Sequence, residues 1–342
     1  MSWFKFLKGA CLVKQKFKIL LLNIIVLTFG NIWAADIEEG GNEIRLFQYS
    51  SLAAMGPEII GEFKRVGYIA VEGVPGFADA YQRYLGFMRQ FIDLPPEEQA
   101  KYTPSNYGAR GWSRGVEVFN GKCDTFKGSF YAAIPDDASN IWPEESLTGF
   151  KEAYLDVATL VLNVGREILP LVGFTQSVKG LGRGLHYKSV SGSEDDGNPN
   201  WCGNHRDHGV FTCLCPEVYF DEEGNIVDRP EGAGLYIESK PVAPRRDIML
   251  FQMGEVMELM TNGAVRATDH LVKKAFGPER YALAVFADPE EEVIINFSDS
   301  SVIEKYKDRL TEEDIAHGSV SFAAWNDRSL AKYNPKELDP TT

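Results

Sequence analysis

The chain changes texture near Arg183. Before it, apolar residues recur every three or four positions. Beyond it, short apolar runs alternate with turn residues. Leu52, Met55, Ile59, Phe63 and Val66 predict a helix capped by Ser50 or Ser51 and stopped by Gly67. Tyr68–Val74 reads as a strand. Phe77, Tyr81, Tyr84, Leu85, Met88, Phe91 and Ile92 predict a second helix. Leu94-Pro95-Pro96-Glu97-Glu98 breaks that helix and starts another, because proline suits the first helical turn. The Gly- and aromatic-rich stretch from Asn106 to Trp142 predicts loops with short strands, and Glu144–Leu169 is the longest helical pattern, ended near Pro170.

From Arg183 onward the predicted strands are Gly184–Ser189, Asp207–Leu214, Gly234–Glu238, Ile248–Met253, Val256–Met260, Val265–Val272 and Tyr281–Asp288. Asp221-Glu222-Glu223-Gly224-Asn225 and Thr261-Asn262-Gly263 supply turns. Helices followed by a succession of short strands predict a mainly β, α+β protein whose core is a cupin-like jelly roll buttressed by the helices. The divisions are a leader at 1–35, a helical and mixed region at 43–175, the jelly-roll core at 180–290 and an extension at 291–342. The tail from Asn326 reads as polar and loose.

Composition adds three constraints. The 342 residues carry a net charge of −14, which argues against nucleic acid as a partner because phosphate binding needs clustered Lys and Arg. Lys5, Lys8, Lys14, Lys16 and Lys18 precede or open an apolar run, Ile19–Phe29, that leads into Ala34-Ala35 and then Asp36-Ile37-Glu38-Glu39. That layout predicts an export signal cleaved after Ala34 or Ala35, with an uncleaved signal anchor as the alternative; if neither holds, the protein is cytoplasmic. No other membrane contact is expected. Cys123, Cys202, Cys213 and Cys215 are too few for a disulfide scaffold and lack a CxxC zinc pattern, so they read as free thiols. Asn296-Phe297-Ser298 is a glycosylation sequon only in a eukaryotic secretory pathway.

The chemistry concentrates in His205-Arg206-Asp207 and His270. Two histidines and one carboxylate form the facial triad that binds non-heme Fe(II) and leaves coordination positions open. In a strand, residues i and i+2 share a face, so His205 and Asp207 can hold one ion, with His270 reaching it from another strand. Zinc takes similar ligands, but no HExxH helix accompanies them.

Further motifs surround the triad in a fixed order. They are Leu94-Pro95-Pro96-Glu97-Glu98, Asp124-x-Phe126-Lys127, Trp142-Pro143-Glu144, His205-x-Asp207-His208-Gly209-x-x-Thr212 and Gly234-Leu235. After these come Gly254-Glu255-x-Met257-x-Leu259-x-Thr261-Asn262-Gly263, Ala267-Thr268-x-His270 and Glu279-Arg280-Tyr281. From about residue 43 to 290 the chain resembles the isopenicillin-N-synthase-like branch of the Fe(II)/2-oxoglutarate dioxygenases. The resemblance implies a double-stranded β-helix with Fe(II) held by His205, Asp207 and His270. It also implies 2-oxoglutarate held through its carboxylate by Arg280, and O2 as second co-substrate. A planar, permanently charged guanidinium suits that carboxylate.

Two positions depart from the pattern. The family's Arg-x-Ser becomes Arg280-x-Ala282, and its Asn-Tyr-Tyr segment reads as His186-Tyr187-Lys188, with Tyr187 and Lys188 as further co-substrate candidates. The resemblance implies oxidative decarboxylation of the keto acid coupled to hydroxylation, desaturation or ring closure of a small molecule. Ala282 leaves open an iron-dependent oxidase that uses no 2-oxoglutarate, and a non-catalytic jelly-roll protein retaining the triad is the third reading. His186 reads either way between core and site, His208 as pointing away from the metal, His317 as uninvolved, and Trp112, Trp142 and Trp201 as core.

Overall fold

The computed structural model describes residues 44–331 except 105–108, 117, 120–121, 124, 192–196 and 243–244. The leader, Asp124 and the last residues of the tail lie outside the described residues. Among the described residues, no helix is long and apolar enough to cross a membrane.

Helices supply the outer layer. The first predicted helix divides into a 3-10 segment, Tyr49–Met55, and α1, Gly56–Arg65, with Pro57 entering the first α turn where no N–H is needed. α2 (Phe77–Ile92), the short α3 (Pro96–Ala100) and α4 (Phe150–Ile168) follow the predicted pattern. The apolar faces of α2 and α4 meet around Tyr84, Phe91, Phe130, Phe150 and Tyr154. Full burial of such a phenylalanine contributes roughly 1.5–3 kcal/mol.

The strands are β1 (Leu46–Gln48), β2 (Tyr68–Glu72), β3 (Gly111–Arg114), β4 (Lys127–Ile134), β5 (Val178–Tyr187), β6 (Asn200–His205) and β7 (Phe211–Leu214). They continue as β8 (Val218–Phe220), β9 (Gly234–Ile237), β10 (Met249–Met253), β11 (His270–Lys273), β12 (Glu279–Pro289), β13 (Ile294–Asn296) and β14 (Ser319–Ser321). The large sheet runs β1-β2-β10-β7-β12-β5-β4-β3, with β8 also on β12. The facing sheet orders β9-β11-β6, with Lys240–Pro241 outside β9. Two facing sheets of largely antiparallel strands make the expected jelly roll.

Alternation along β12 separates two cores. Tyr281, Leu283 and Val285 join the core beneath the helices, while Ala282 and Ala284 face the space between the sheets with Tyr68, Leu185, Tyr187, Trp201 and Leu235. On β5, Gly180, Gly182 and Gly184 face the helices. A Cβ there would come within 2.7 Å of Leu162, 2.7 Å of Tyr154 and 2.3 Å of Tyr84, so the glycines admit the helical layer.

Five expectations are corrected. Val256–Met260 belongs to a helix, α5 (Glu255–Met260), whose apolar residues Val256, Met257 and Leu259 do not alternate strictly. Asn262 and Gly263 do take the left-handed turn conformation, φ 50° and 77°, but they end α5 instead of joining strands. Val265–Val272 contracts to β11. The stretch from 106 to 142 contains the fully buried eight-residue β4, masked in the sequence by its Lys127-Gly128-Ser129 start. The extension from 291 holds α6 (Ser300–Tyr306), α7 (Glu312–His317) and α8 (Phe322–Ala331), with Trp325 fully buried, so the stretch expected to be loose from Asn326 is helical as far as Ala331.

Candidate metal centre and its adjoining cavity

β6 ends on His205 and β11 begins on His270, and the two are register partners. Their rings lie 4.2 Å apart. Asp207 stands two residues past the end of β6, so a turn delivers it rather than the strand continuing through Asp207 as expected. That turn is tied down by the Glu255 N–H, which donates to the Asp207 carbonyl at 2.9 Å. One ligand atom from each of the three residues lies within 4.8 Å of the others. His205 Nε2 is 3.6 Å from Asp207 Oδ1, and His270 Nε2 is 3.9 Å from Oδ2.

The hydrogen bonds fix which atoms face that point. His205 Nδ1 bonds the Gly203 carbonyl at 2.8 Å and His270 Nδ1 the Thr268 carbonyl at 3.1 Å. A carbonyl only accepts, so both Nδ1 atoms carry hydrogen and each Nε2 is the nitrogen that faces the Asp207 carboxylate. Thr212 Oγ1 and Gln252 Nε2 donate to Asp207 Oδ2 at 2.6 and 2.7 Å. Burial opposes ionisation of Asp207, but the charges of His270 and His205 and the bonds from Thr212 and Gln252 outweigh it and hold its pKa below the usual range. The two imidazoles resist double protonation: burial, then the His205 charge, push His270 down to about 4. Two imidazole nitrogens and a carboxylate with three protein donors on one side fit Fe(II).

Arg206, between the two outer residues of the motif, straps the site. Its Nη1 donates to both Asp269 carboxylate oxygens at 3.1 Å, and its Nε donates to Glu255 at 3.2 Å. Arg309 closes on the other side of Glu255 through a buried ion pair and stacks on Trp325 at 4.4 Å. Trp325 Nε1 donates to the His208 carbonyl at 2.9 Å, and the His208 ring bonds Asn326 at 2.9 Å. The C-terminal helices therefore brace the Asp207 turn.

A cavity of about 60 Å3 runs from His205, Asp207 and His270 between the sheets to Arg280. Tyr187, Ala282, Arg183 and Glu217 also line it. Arg280 is buried, its guanidinium 4.9 Å from the Tyr187 ring centre. Its Nε donates to Glu217 Oε2 at 2.7 Å. Burial disfavours the Arg280 charge, yet the Glu217 carboxylate outweighs it and raises its pKa.

Lys188 does not belong to this cavity. It follows the last residue of β5 and is exposed, since Tyr187 takes the inward position and its neighbour turns outward. His186 likewise faces away, buried between Arg114 (Nη2 to Nδ1, 2.6 Å) and Glu279 (3.2 Å to Nε2). An arginine can only donate, so His186 Nδ1 accepts and Nε2 carries the hydrogen. His317 is exposed on α7. Trp112 and Trp201 are buried and Trp142 packs against the helical core. Cys202, Cys213 and Cys215 are free, and Cys202 Sγ lies 3.9 Å from His205 Nδ1.

Sequence reasoning missed Glu217, Gln252 and the strap of Arg206. Gln252 had a signal, as the one polar residue in the apolar run Met249-Leu250-Phe251-Gln252-Met253. Glu217, in Cys215-Pro216-Glu217, had none.

No family model matches the chain. A probable iron/ascorbate oxidoreductase of Dictyostelium discoideum is 22% identical over 315 residues, covering 77% of this chain and 82% of that protein. The homoarginine-6-hydroxylase 2-ODD-C23 of Glycine max is 26% identical over 214 residues, covering 54% and 62%. Among solved structures, a full-length Neurospora crassa protein in complex with alpha-KG and thymine superposes with TM-score 0.62 at 19% identity, over 88% of this chain and all of that one. JOX2 in complex with 2OG, Fe and JA superposes with TM-score 0.63 at 14% identity, over 91% and 93%. The sequence relatives are named as iron-dependent oxidoreductases and dioxygenases, and this chain shares with the solved structures the jelly-roll fold, at one end of which its own His-Asp-His site lies.

Proposed function

We propose that His205, Asp207 and His270 hold Fe(II), and that the protein couples O2 and 2-oxoglutarate to the oxidation of a small organic molecule. The observation that carries this reading is the convergence of three donor atoms within 4.8 Å at one end of a cavity that has a buried arginine at the other. The chemistry supplied there, once Fe(II) and 2-oxoglutarate are bound, is reduction of O2 coupled to decarboxylation of the keto acid. The protein's part is geometric and electrostatic. Thr212 and Gln252 orient the Asp207 carboxylate, the Gly203 and Thr268 carbonyls fix both imidazoles, and Arg280 presents a cation to a carboxylate. The apolar walls, among them Leu235, Val272 and Leu214, exclude water and strengthen these interactions. The Neurospora crassa protein and JOX2 are crystallised with small organic ligands, which supports a small-molecule substrate here.

Aerobic turnover with Fe(II) and 2-oxoglutarate tests the reading. Succinate forms with wild-type protein, falls to background in His270→Ala and falls steeply in Arg280→Ala; absence of succinate at saturating iron and keto acid contradicts it. The Arg280–Glu217 pair and Ala282 favour one second reading, an iron oxidase of the same fold that consumes O2 without 2-oxoglutarate. O2 uptake that is independent of keto acid identifies it. We also propose export by the leader at 1–35, supported by its lysines, apolar run and Ala34-Ala35. Fractionation with N-terminal sequencing of the mature chain checks it, and recovery of intact chain in the cytoplasm contradicts it.

A further inference from the structure

The pairing of β6 with β11 supports its two histidines from one side only. His205 is the last residue of β6 and His270 the first of β11. Just inside that pair the register slips by one, from His205–His270 to Cys202–Val272. Such a slip leaves a residue unpaired and disrupts the ladder locally. The next pair outward is Arg206 and Asp269, where the strand pairing has already ended. Their side chains continue it: Arg206 Nη1 donates to both Asp269 carboxylate oxygens at 3.1 Å. Nε, on another edge of the same guanidinium, donates to Glu255 Oε1 at 3.2 Å, and the Glu255 N–H holds the Asp207 carbonyl at 2.9 Å. One planar cation therefore joins the residue before His270 to the residue that anchors the Asp207 turn. Behind it, Arg309 Nη2 donates to the same Glu255 oxygen at 2.9 Å. Carboxylate and guanidinium alternate along Asp269, Arg206, Glu255 and Arg309, and the row ends on Trp325 of α8.

Exposure separates a stabilising role from a positioning one. The Glu255 side chain is 4% exposed, but those of Arg206 and Asp269 are 25% and 42% exposed. An ion pair that open to water adds little to folding, so its effect falls on how the two ligand-bearing segments sit relative to each other. We propose that Arg206 is a positioning residue for the metal. It closes the open end of the β6–β11 pair, fixes the Asp207 turn against His270 and so governs how fast Fe(II) escapes. The C-terminal helices act on the metal through it, because Arg309 holds the Glu255 carboxylate that Arg206 also grips. This rests on the reading of His205, Asp207 and His270 as the Fe(II) ligands.

Three anaerobic measurements on the whole protein test it. They are the rate at which a ferrous chelator strips the Fe(II)-loaded protein, the visible absorption bands of protein saturated with Co(II), and the denaturation midpoint of metal-free protein. Arg206→Met keeps the apolar stem and removes the fork. It speeds iron loss by about tenfold, the lower end of what losing a partner behind metal ligands costs, and shifts the Co(II) bands while the metal-free midpoint stays near wild type. Asp269→Asn moves both metal readouts the same way by less. The double variant is no worse than Arg206→Met alone, because both changes break one bridge. Arg206→Lys, with one nitrogen for two carboxylates, recovers only part of the loss. A wild-type rate of iron loss in Arg206→Met, or unchanged Co(II) bands, overturns the proposal and leaves the triad standing. If Arg206→Met lowers the metal-free midpoint, the near-isosteric Asp269→Asn decides by the same two readouts. If wild-type protein binds no Fe(II), the proposal and the triad reading both fall.

Discussion

The two ends of the cavity are built on opposite principles. At the metal end the three donors are held by their neighbours: both Nδ1 atoms bond carbonyls, Asp207 Oδ2 takes two hydrogen bonds, and Gln252 Oε1 alone is left without a partner. At the arginine end Arg280 Nη1 and Glu217 Oε1 have no hydrogen-bond partner, although Arg229 Nη1 stands 3.5 Å from that oxygen. The first end is oriented by its own hydrogen bonds before anything binds. The second is an ion pair with spare valences. A metal site needs its ligands oriented because neighbouring hydrogen bonds set the ring orientation and basicity of each donor, whereas a carboxylate site tolerates a shared arginine provided one edge stays open.

The largest effect separates the ends outright. His270→Ala abolishes stoichiometric Fe(II) binding, read by anaerobic titration, and leaves the arginine end intact. Arg280→Ala does the reverse. It retains iron, loses 2-oxoglutarate affinity, and costs about 1–3 kcal/mol of stability because Glu217 loses its nearer guanidinium and keeps only Arg229, 3.5 Å away. Chemical denaturation reads that loss, and a second change, Glu217→Gln, recovers most of it. If Arg280→Ala releases iron as readily as His270→Ala, the two ends are not separable.

Gln252→Ala probes the rigidity of the metal end, since it deletes one of the two hydrogen bonds on Asp207. Fe(II) affinity is expected to fall by roughly 10–100-fold with little change in 2-oxoglutarate binding at saturating iron. His186, behind the cavity, gives a smaller effect through pH. Burial depresses its pKa below the ordinary 6.5, with Glu279 opposing. The unfolded chain therefore binds the proton more readily, so the stability it contributes is complete above pH 6.5 and is lost as pH falls toward the depressed folded value. His186→Gln flattens that part of a stability-against-pH curve. Lys188→Ala is expected to leave 2-oxoglutarate affinity unchanged, because Lys188 is exposed away from the cavity.

The same contrast explains what the sequence disclosed. His205, Asp207 and His270 are legible because few residue types bind iron and their spacing is tied to strand partners. Arg280 is legible by resemblance. Tyr187 and Lys188 illustrate the limit: strand alternation guarantees that only one of two neighbours faces the ligand, but the sequence does not say which. Glu217 follows a proline in a connection between β7 and β8, and only the register of β8 on β12 shows that it meets Arg280. α5 was misread because a six-residue helix has too few turns to show its period. The role of the C-terminal helices was hidden for a different reason: Arg309, Trp325 and Asn326 act on the Asp207 turn from about a hundred residues away in sequence.

The central claim is that three side chains hold one iron beside a keto-acid pocket. Anaerobic titration of Fe(II) into metal-free protein, followed by 2-oxoglutarate, tests it most directly. The account predicts one equivalent of iron, then one equivalent of 2-oxoglutarate, with both steps lost in His270→Ala and only the second lost in Arg280→Ala. Iron binding that survives His270→Ala, or 2-oxoglutarate binding indifferent to Arg280, contradicts it.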